Sequence, residues 1–108
     1  MTLQTQLFGF PILVEAQKLD DGWDISITGG CRSHVGAVTL AAPGEEPQTI
    51  QRRRHKDACI SQVWAETLAE KWNCPVCVRC SIHYDGISME QIQEIIKASN
   101  TLLAEIGG

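Results

Sequence analysis

The sequence predicts an α+β domain in which a mostly antiparallel five-stranded sheet carries two helices on one face, in the order β-β-β-β-α-β-α. Residues 23–28 alternate apolar and polar side chains, which is the period of a half-buried strand. Residues 57–72 and 88–106 repeat apolar side chains every three to four positions, as amphipathic helices do. Short turns separate the first four strands, so an antiparallel meander under two helices is the simplest arrangement.

Five strands are expected, at residues 13–18, 23–28, 35–41, 48–53 and 76–83. The turn signal Asp20-Asp21-Gly22 joins the first two as a hairpin. The third is apolar on both faces and is expected to be central, whereas the fourth is basic and exposed. The fifth follows a helical crossover, which can place it parallel to a neighbouring strand.

The two helices differ in how clearly their ends are marked. The first ends at Asn73 and Pro75, and the second begins at a capping box formed by Ser88 and Gln91. The first is expected to bury Ile60, Val63, Trp64, Thr67 and Leu68. The second is expected to bury Ile92, Ile95, Ile96, Ser99, Leu102, Leu103 and Ile106.

Composition limits the class of protein. A chain of 108 residues, 44% hydrophobic and 20% charged, is one globular domain over residues 1–108. The net charge of −4 argues against a general nucleic-acid surface, and no apolar stretch approaches the ~20 residues of a membrane span. The uncharged N-terminus argues against a secretory signal, so five cysteines indicate free thiols in a reducing cytoplasm.

All three histidines, His34, His55 and His83, lie where predicted elements begin or end, and such junctions often carry ligand sites. Together with Asp57 or Asp85 they have the donor types of a divalent metal site. The competing interpretation is that each histidine is structural or faces solvent.

Two segments are candidates for binding an anion. Residues 29–36, Gly-Gly-Cys-Arg-Ser-His-Val-Gly, let backbone amides approach a phosphate, with Arg32 adding charge. The basic run 52–56 ends at a helix N-terminus, where unpaired amides favour an anion. The alternatives are a plain glycine turn for the first segment and a solvated edge strand for the second.

Cys74, Cys77 and Cys80 form two overlapping Cys-x-x-Cys spacings. On a strand, a spacing of three places Cys77 and Cys80 on opposite faces, which is unsuitable for a shared metal or a redox pair. Buried free thiols are therefore the default expectation.

Three segments together resemble the LpdD-like prenylated-flavin chaperones, small proteins that accompany UbiD-type decarboxylases such as gallate decarboxylase. They are residues 29–38 (Gly-Gly-Cys-Arg-Ser-His-Val-Gly-Ala-Val), 54–57 (Arg-His-Lys-Asp) and 81–86 (Ser-Ile-His-Tyr-Asp-Gly). The resemblance extends over roughly residues 10 to 106. Ser33, Arg54, Ser81 and Gly86 depart from the residues usual in the family.

The resemblance implies a small soluble protein that binds reduced prenylated flavin mononucleotide, or flavin mononucleotide itself, and assists its delivery to a UbiD-type decarboxylase. A flavin prenyltransferase would be the source of the cofactor. The glycines and Lys56 would bind the phosphate, while the histidines and aspartates would contact the ring or a bridging metal ion. The implied site contains Gly29, Gly30, Arg32, His34, His55, Lys56, Asp57, His83 and Asp85.

Several alternatives stay open at this point. The chain could be a metal-dependent small enzyme that uses the three histidines, or a non-catalytic structural subunit of a decarboxylase complex. Four aromatic residues could line one side of a site for the flavin ring: Phe10, Trp64, Trp72 and Tyr84. The two tryptophans are better explained as core residues. The exposed basic strand and the small size of the chain are compatible with a homodimer.

Overall fold

The computed structural model describes residues 1–53 and 57–108, which form a six-stranded mixed sheet and two helices. The strands are β1 Thr2–Leu7, β2 Phe10–Leu19, β3 Gly22–Gly30, β4 Ala37–Ala41, β5 Gln48–Gln51 and β6 Val76–His83, and the helices are α1 Ala58–Trp72 and α2 Met89–Gly107. The predicted α+β class is confirmed. No helix among these described residues is long and apolar enough to cross a membrane.

The predicted meander of four strands is wrong, because β6 lies between β3 and β4. The order across the sheet is β1-β2-β3-β6-β4-β5, and β6 runs parallel to β3 and antiparallel to β4. Val76 and Val78 of β6 are fully buried, so the strand belongs in the interior of the sheet rather than at its edge. The parallel crossover through α1 agrees with the expectation for the fifth strand.

The sequence prediction also missed the first strand. β1 and β2 form a hairpin in which Leu7 faces Phe10, and the two residues between them, Phe8 and Gly9, both have positive φ, 53° and 82°. Two consecutive positive φ angles are typical of the tight turn that suits the twist of a hairpin. Phenylalanine rarely adopts a positive φ. The sequence Phe8-Gly9 therefore lacks the Asn-Gly or Asp-Gly signal by which such a turn is normally predicted.

Strands β4 and β5 are shorter than the strands predicted at residues 35–41 and 48–53. β4 begins at Ala37, and Val35 lies in the preceding loop with 58% of its surface exposed. β5 ends at Gln51 and pairs with β4 alone among the described residues, which places it at the edge of the sheet. The expectation of an exposed strand is confirmed, but that of a basic strand is wrong, because Arg52 and Arg53 follow its end. Hydrogen bonds from Arg52 to the carbonyls of Val35 and Gly36 hold the loop against the end of β5.

Helix α1 buries a different stripe from the one expected. Val63 is 45% exposed and Thr67 is exposed, whereas Ser61, Ala65 and Ala69 are buried beside Ile60, Trp64 and Leu68. Small side chains let the helix approach the sheet closely, and the Ser61 hydroxyl is hydrogen-bonded to Thr39 at 2.8 Å. A buried serine is tolerated because its polar group has a partner in the sheet.

The capping box of α2 is confirmed: the Ser88 Oγ accepts from the Gln91 N–H, and the Gln91 side chain accepts from the Ser88 N–H. Ile95, Ser99, Leu102 and Ile106 are buried as predicted. The Trp64 indole N–H on α1 donates to the Ser99 Oγ at 2.8 Å, so a buried hydrogen bond joins the two helices.

We expect Ser99→Ala to lower the free energy of unfolding by about 1–3 kcal/mol, because it leaves the buried Trp64 indole N–H without an acceptor. Urea denaturation followed by circular dichroism measures this loss. Thr101→Ala is the matched control, since it removes an exposed hydroxyl bonded to the Lys97 carbonyl on the same helix. A similar loss in both variants would contradict the role of the interhelical bond.

Candidate functional site

The candidate site lies at the end of the sheet where the parallel strands β3 and β6 both terminate. In their register Gly30 faces His83, so the loop after β3 and the turn after β6 begin side by side. The Cys31 N–H donates to the His83 carbonyl at 2.9 Å, which ties the two segments together. His34 from the loop then lies against His83, with ring centroids 5.0 Å apart and the rings steeply inclined.

His83, Asp85 and Cys31 form a polar cluster beside this pair. The His83 Nε2 is 2.7 Å from the Asp85 Oδ1, and the Cys31 Sγ is 3.5 Å from the Asp85 Oδ2 and 3.4 Å from the His83 carbonyl. Hydrogen bonds from His83 and then Cys31 hold the pKa of the Asp85 carboxyl below its usual range. The Arg32 guanidinium acts in the same direction. Asp85 is therefore an anionic acceptor at this end of the sheet at neutral pH.

The two glycines of the predicted cradle have a packing role. Gly30 has φ +88°, and a Cβ there would collide with the His83 carbonyl oxygen. A Cβ on Gly29 would come 2.8 Å from the Pro11 carbonyl oxygen. Glycine at these positions allows β2, β3 and β6 to approach one another closely. Their contact with a phosphate stays a prediction.

Asp57 is placed differently from the other predicted site residues, because its carboxylate points into the fold. It is 6% exposed and accepts from the Ile82 N–H at 3.2 Å and from the Cys80 thiol at 3.4 Å. A Cβ on Gly36 would collide with this carboxylate, so the glycine makes room for it. Asp57 thereby joins the start of α1 to β6 and to the loop that carries His34.

An apolar cavity of about 240 Å³ opens next to His83, between the start of α1, the end of β6 and the first half of α2. Its lining residues are Asp57, Cys59, Ile60, Ile82, His83, Tyr84, Ile87, Ile92, Ile95 and Ile96. The prediction that α2 buries Ile96 is wrong, since 36% of its surface is exposed on the rim of this cavity. A larger hollow on the opposite face, lined by Glu15, Asp24 and Arg79 among others, contains none of the predicted site residues.

Aromatic side chains from the β1–β2 hairpin border the same end of the sheet. Phe8 and Phe10 pack edge-on against Tyr84, with ring centroids 5.8 and 6.1 Å apart, and are 40% and 39% exposed. The Tyr84 hydroxyl donates to the Leu7 carbonyl at 2.9 Å, which fixes the hairpin to the segment after β6. Trp64 is instead fully buried, and Trp72 packs against Trp23, where β3 and β6 begin.

The structure thus brings together six predicted residues at this end of the sheet: Gly29, Gly30, His34, Asp57, His83 and Asp85. Arg32 is exposed in the loop between them. His55 and Lys56, like Arg54, lie outside the described residues. Sequence reasoning missed Cys31, Phe8 and the cavity isoleucines. The signal for Cys31 was its position between Gly30 and His34. The signal for the isoleucines was the number of them, Ile87, Ile92, Ile95 and Ile96, around the start of α2.

The cysteine-rich strand behaves as expected from the spacing. Cys80 is fully buried on the helix side of β6, whereas Cys77 is half-buried on the opposite side. Burial raises the pKa of Cys77, and burial together with the adjacent Asp57 carboxylate raises that of Cys80 far more. Cys80 is therefore an unreactive core thiol, as expected, but the expectation of burial is wrong for Cys74 and Cys77, which are half-buried. Of the two cysteines outside this run, Cys31 is half-buried and Cys59 is exposed.

Comparison with known proteins shows where this fold and this sequence occur. A subunit of a chaperone complex for yeast 20S proteasome assembly superposes with a TM-score of 0.54, covering 100% of this chain and 98% of that one. At 17% identity, this similarity is one of fold alone.

The sequence comparisons are more specific. Protein LpdD of Lactiplantibacillus plantarum is 26% identical over 110 residues, which cover 97% of this chain and 81% of LpdD. A family model described as the prenylated flavin chaperone LpdD-like domain matches residues 6–107. The chain belongs to this LpdD-like family, and it is accordingly a chaperone rather than an enzyme. The alternative of a metal-dependent enzyme is therefore set aside.

We expect Gly30→Ala to destabilise the fold by more than Gly9→Ala. Both glycines have φ between 80° and 90°, so each substitution carries about 1–2 kcal/mol of left-handed strain. Only the new Cβ at position 30 also collides with backbone, at the His83 carbonyl, while position 9 is open. Urea denaturation of both variants measures the difference, and equal losses would contradict the close approach of β3 and β6.

Proposed function

We propose that this chain binds reduced prenylated flavin mononucleotide at the end of the sheet marked by His34 and His83, and passes it to a UbiD-type decarboxylase. The observation that carries the proposal is the apolar cavity that opens directly beside His83, whose Nε2 lies 2.7 Å from the Asp85 carboxylate. A prenylated flavin has an apolar prenyl-derived and dimethylbenzene side and a polar edge of carbonyls and ring nitrogens. The isoleucine-lined cavity would accept the apolar side of the flavin, and the imidazoles of His34 and His83 would face its polar edge.

The size of the cavity supports partial rather than complete enclosure. At about 240 Å³ it is smaller than the ~300–1,000 Å³ of pockets that enclose a whole drug-sized ligand. The apolar side of the ring would enter, and the polar edge would lie across His34 and His83. Phe8 and Phe10, partly exposed beside Tyr84, offer edges and faces for stacking.

The charged groups support a phosphate at the same end. Arg32 is exposed in the loop that carries His34, and guanidinium groups bind phosphate in a bidentate manner. Lys56 is proposed to bind the phosphate, and His55 the ring, on the basis of the sequence alone. The chain has a net charge of −4, so a localised cation is needed to offset the repulsion of a dianionic phosphate.

Release is the property that distinguishes a cofactor chaperone from a flavoenzyme. A partly open cavity leaves one side of the ligand accessible, so a decarboxylase can take over the cofactor without unfolding the carrier. The proposal includes a flavin prenyltransferase as the donor of the cofactor and the decarboxylase as its acceptor.

The proposal also includes a homodimeric state. A homodimer could cover Leu40 and Ile50, which are 53% and 79% exposed on the adjacent strands β4 and β5.

We expect the chain, purified without oxygen from cells that also express a flavin prenyltransferase, to carry one prenylated flavin in its native mass spectrum. His34→Ala/His83→Ala should lose it, because two ring contacts of about 1.5 kcal/mol each correspond to roughly 100-fold in affinity. Gln93→Ala/Asn100→Ala, two exposed changes on α2, should keep it. A double histidine variant that folds and retains the flavin would overturn the site. Co-purification with a decarboxylase without flavin affinity would favour the structural-subunit alternative.

The cavity itself is tested by Ile96→Trp, which should fill the rim and weaken flavin binding at least about tenfold. Val63→Trp is the matched control, since Val63 is 45% exposed on α1 and does not line the cavity. Anaerobic titration followed by flavin fluorescence compares the two, with thermal unfolding as a check on folding. Equal binding by both variants would place the flavin outside the cavity.

A further inference from the structure

Beyond flavin binding, the cluster formed by Cys31, His83 and Asp85 has the donors of a transition-metal site. The Cys31 Sγ, an imidazole nitrogen of His83 and a carboxylate oxygen of Asp85 all lie within 4.8 Å of one another. We propose that these three side chains bind a divalent cation of the Zn²⁺ type, with the fourth position left to water or an exogenous ligand. This inference does not depend on the proposed flavin binding.

The distance between the sulfur and oxygen donors already fits a tetrahedral site, and the distance between the nitrogen and oxygen donors needs a small adjustment. Zinc–sulfur and zinc–oxygen bonds of about 2.3 and 2.0 Å at a tetrahedral angle place sulfur and oxygen about 3.5 Å apart. The Cys31 Sγ and Asp85 Oδ2 are 3.5 Å apart. The 2.7 Å contact of the His83 Nε2 is with the other carboxylate oxygen, Oδ1. Nitrogen and oxygen ligands of zinc would lie about 3.3 Å apart, so the carboxylate must move away from the ring by roughly half an ångström. Asp85 is 77% exposed and can rotate to allow this.

The backbone holds the three donors together before any metal binds. The Cys31 N–H is bonded to the His83 carbonyl, and β3 and β6 are paired up to Gly30 and His83. Asp85 follows His83 by two residues, in a turn completed by Gly86 with φ 60°. A site whose ligands are already positioned loses little conformational entropy when the ion binds.

The donor types select the ion. A thiolate and an imidazole favour Zn²⁺, Co²⁺ and related transition metals over Mg²⁺ and Ca²⁺, which require oxygen ligands. The cysteine thiolate and the aspartate together neutralise the charge of a divalent ion. Three protein ligands leave one position open, as in zinc sites that bind an external group. A ligand phosphate or carbonyl could occupy this position.

The test is a titration of the reduced, metal-free chain with Co²⁺ alone, followed by absorption spectroscopy. We expect one saturable equivalent, with tetrahedral d–d bands and a thiolate-to-cobalt charge-transfer band, and displacement by one equivalent of Zn²⁺. Cys31→Ser should abolish the charge-transfer band. His83→Gln and Asp85→Asn should each weaken binding at least about tenfold, with circular dichroism confirming that the variants fold.

Two other cysteines provide the controls. Cys77→Ser removes a half-buried thiol near the beginning of β6, and Cys59→Ser removes the exposed thiol that lines the cavity. Both should keep the full cobalt spectrum. Absence of saturable binding, or a charge-transfer band that survives Cys31→Ser and disappears in Cys59→Ser, would overturn the proposal. Either result would leave the proposed flavin binding undecided, because flavin binding is measured separately with the flavin as the only probe.

Discussion

The parallel pairing of β3 with β6 is the constraint on which the rest of this structure depends. It brings the ends of two strands, far apart in the sequence, to the same edge of the sheet, with Gly30 opposite His83. The loop carrying Cys31 and His34 then starts beside the turn carrying Asp85. Because a Cβ at position 30 would collide with the His83 carbonyl, this approach depends on glycine.

A second constraint is the buried Asp57 carboxylate. Asp57 is the N-cap residue of α1, but its side chain is hydrogen-bonded to strand β6 instead of to the helix. Its side chain makes no capping hydrogen bond to α1, and it accepts instead from the Ile82 N–H and the Cys80 thiol. This directs the start of α1 toward the end of β6 and leaves space between them and α2. Ile96 stays 36% exposed on the rim of this space, so part of its apolar surface is not buried.

Much of the fold was predictable because it rests on local patterns. The bounds of β6, both helices, the Asp20-Asp21-Gly22 turn and the Ser88–Gln91 capping box follow from periodicity and cap chemistry. The position of β6 in the sheet was not predictable in the same way, because strand order depends on contacts between distant segments. β1 escaped prediction because Phe8, rather than Asn or Gly, occupies the first position of its turn.

The sequence by itself determined the kinds of residues at the junctions, the family to which they belong and the free thiols. Only the tertiary structure decided that Asp57 turns inward, that Cys31 joins His83 and Asp85, and that Ile96 lines a cavity instead of the core. The physical reason is that periodicity and cap chemistry act over a few residues. The direction of a side chain at a junction depends instead on which distant strand or helix packs against it.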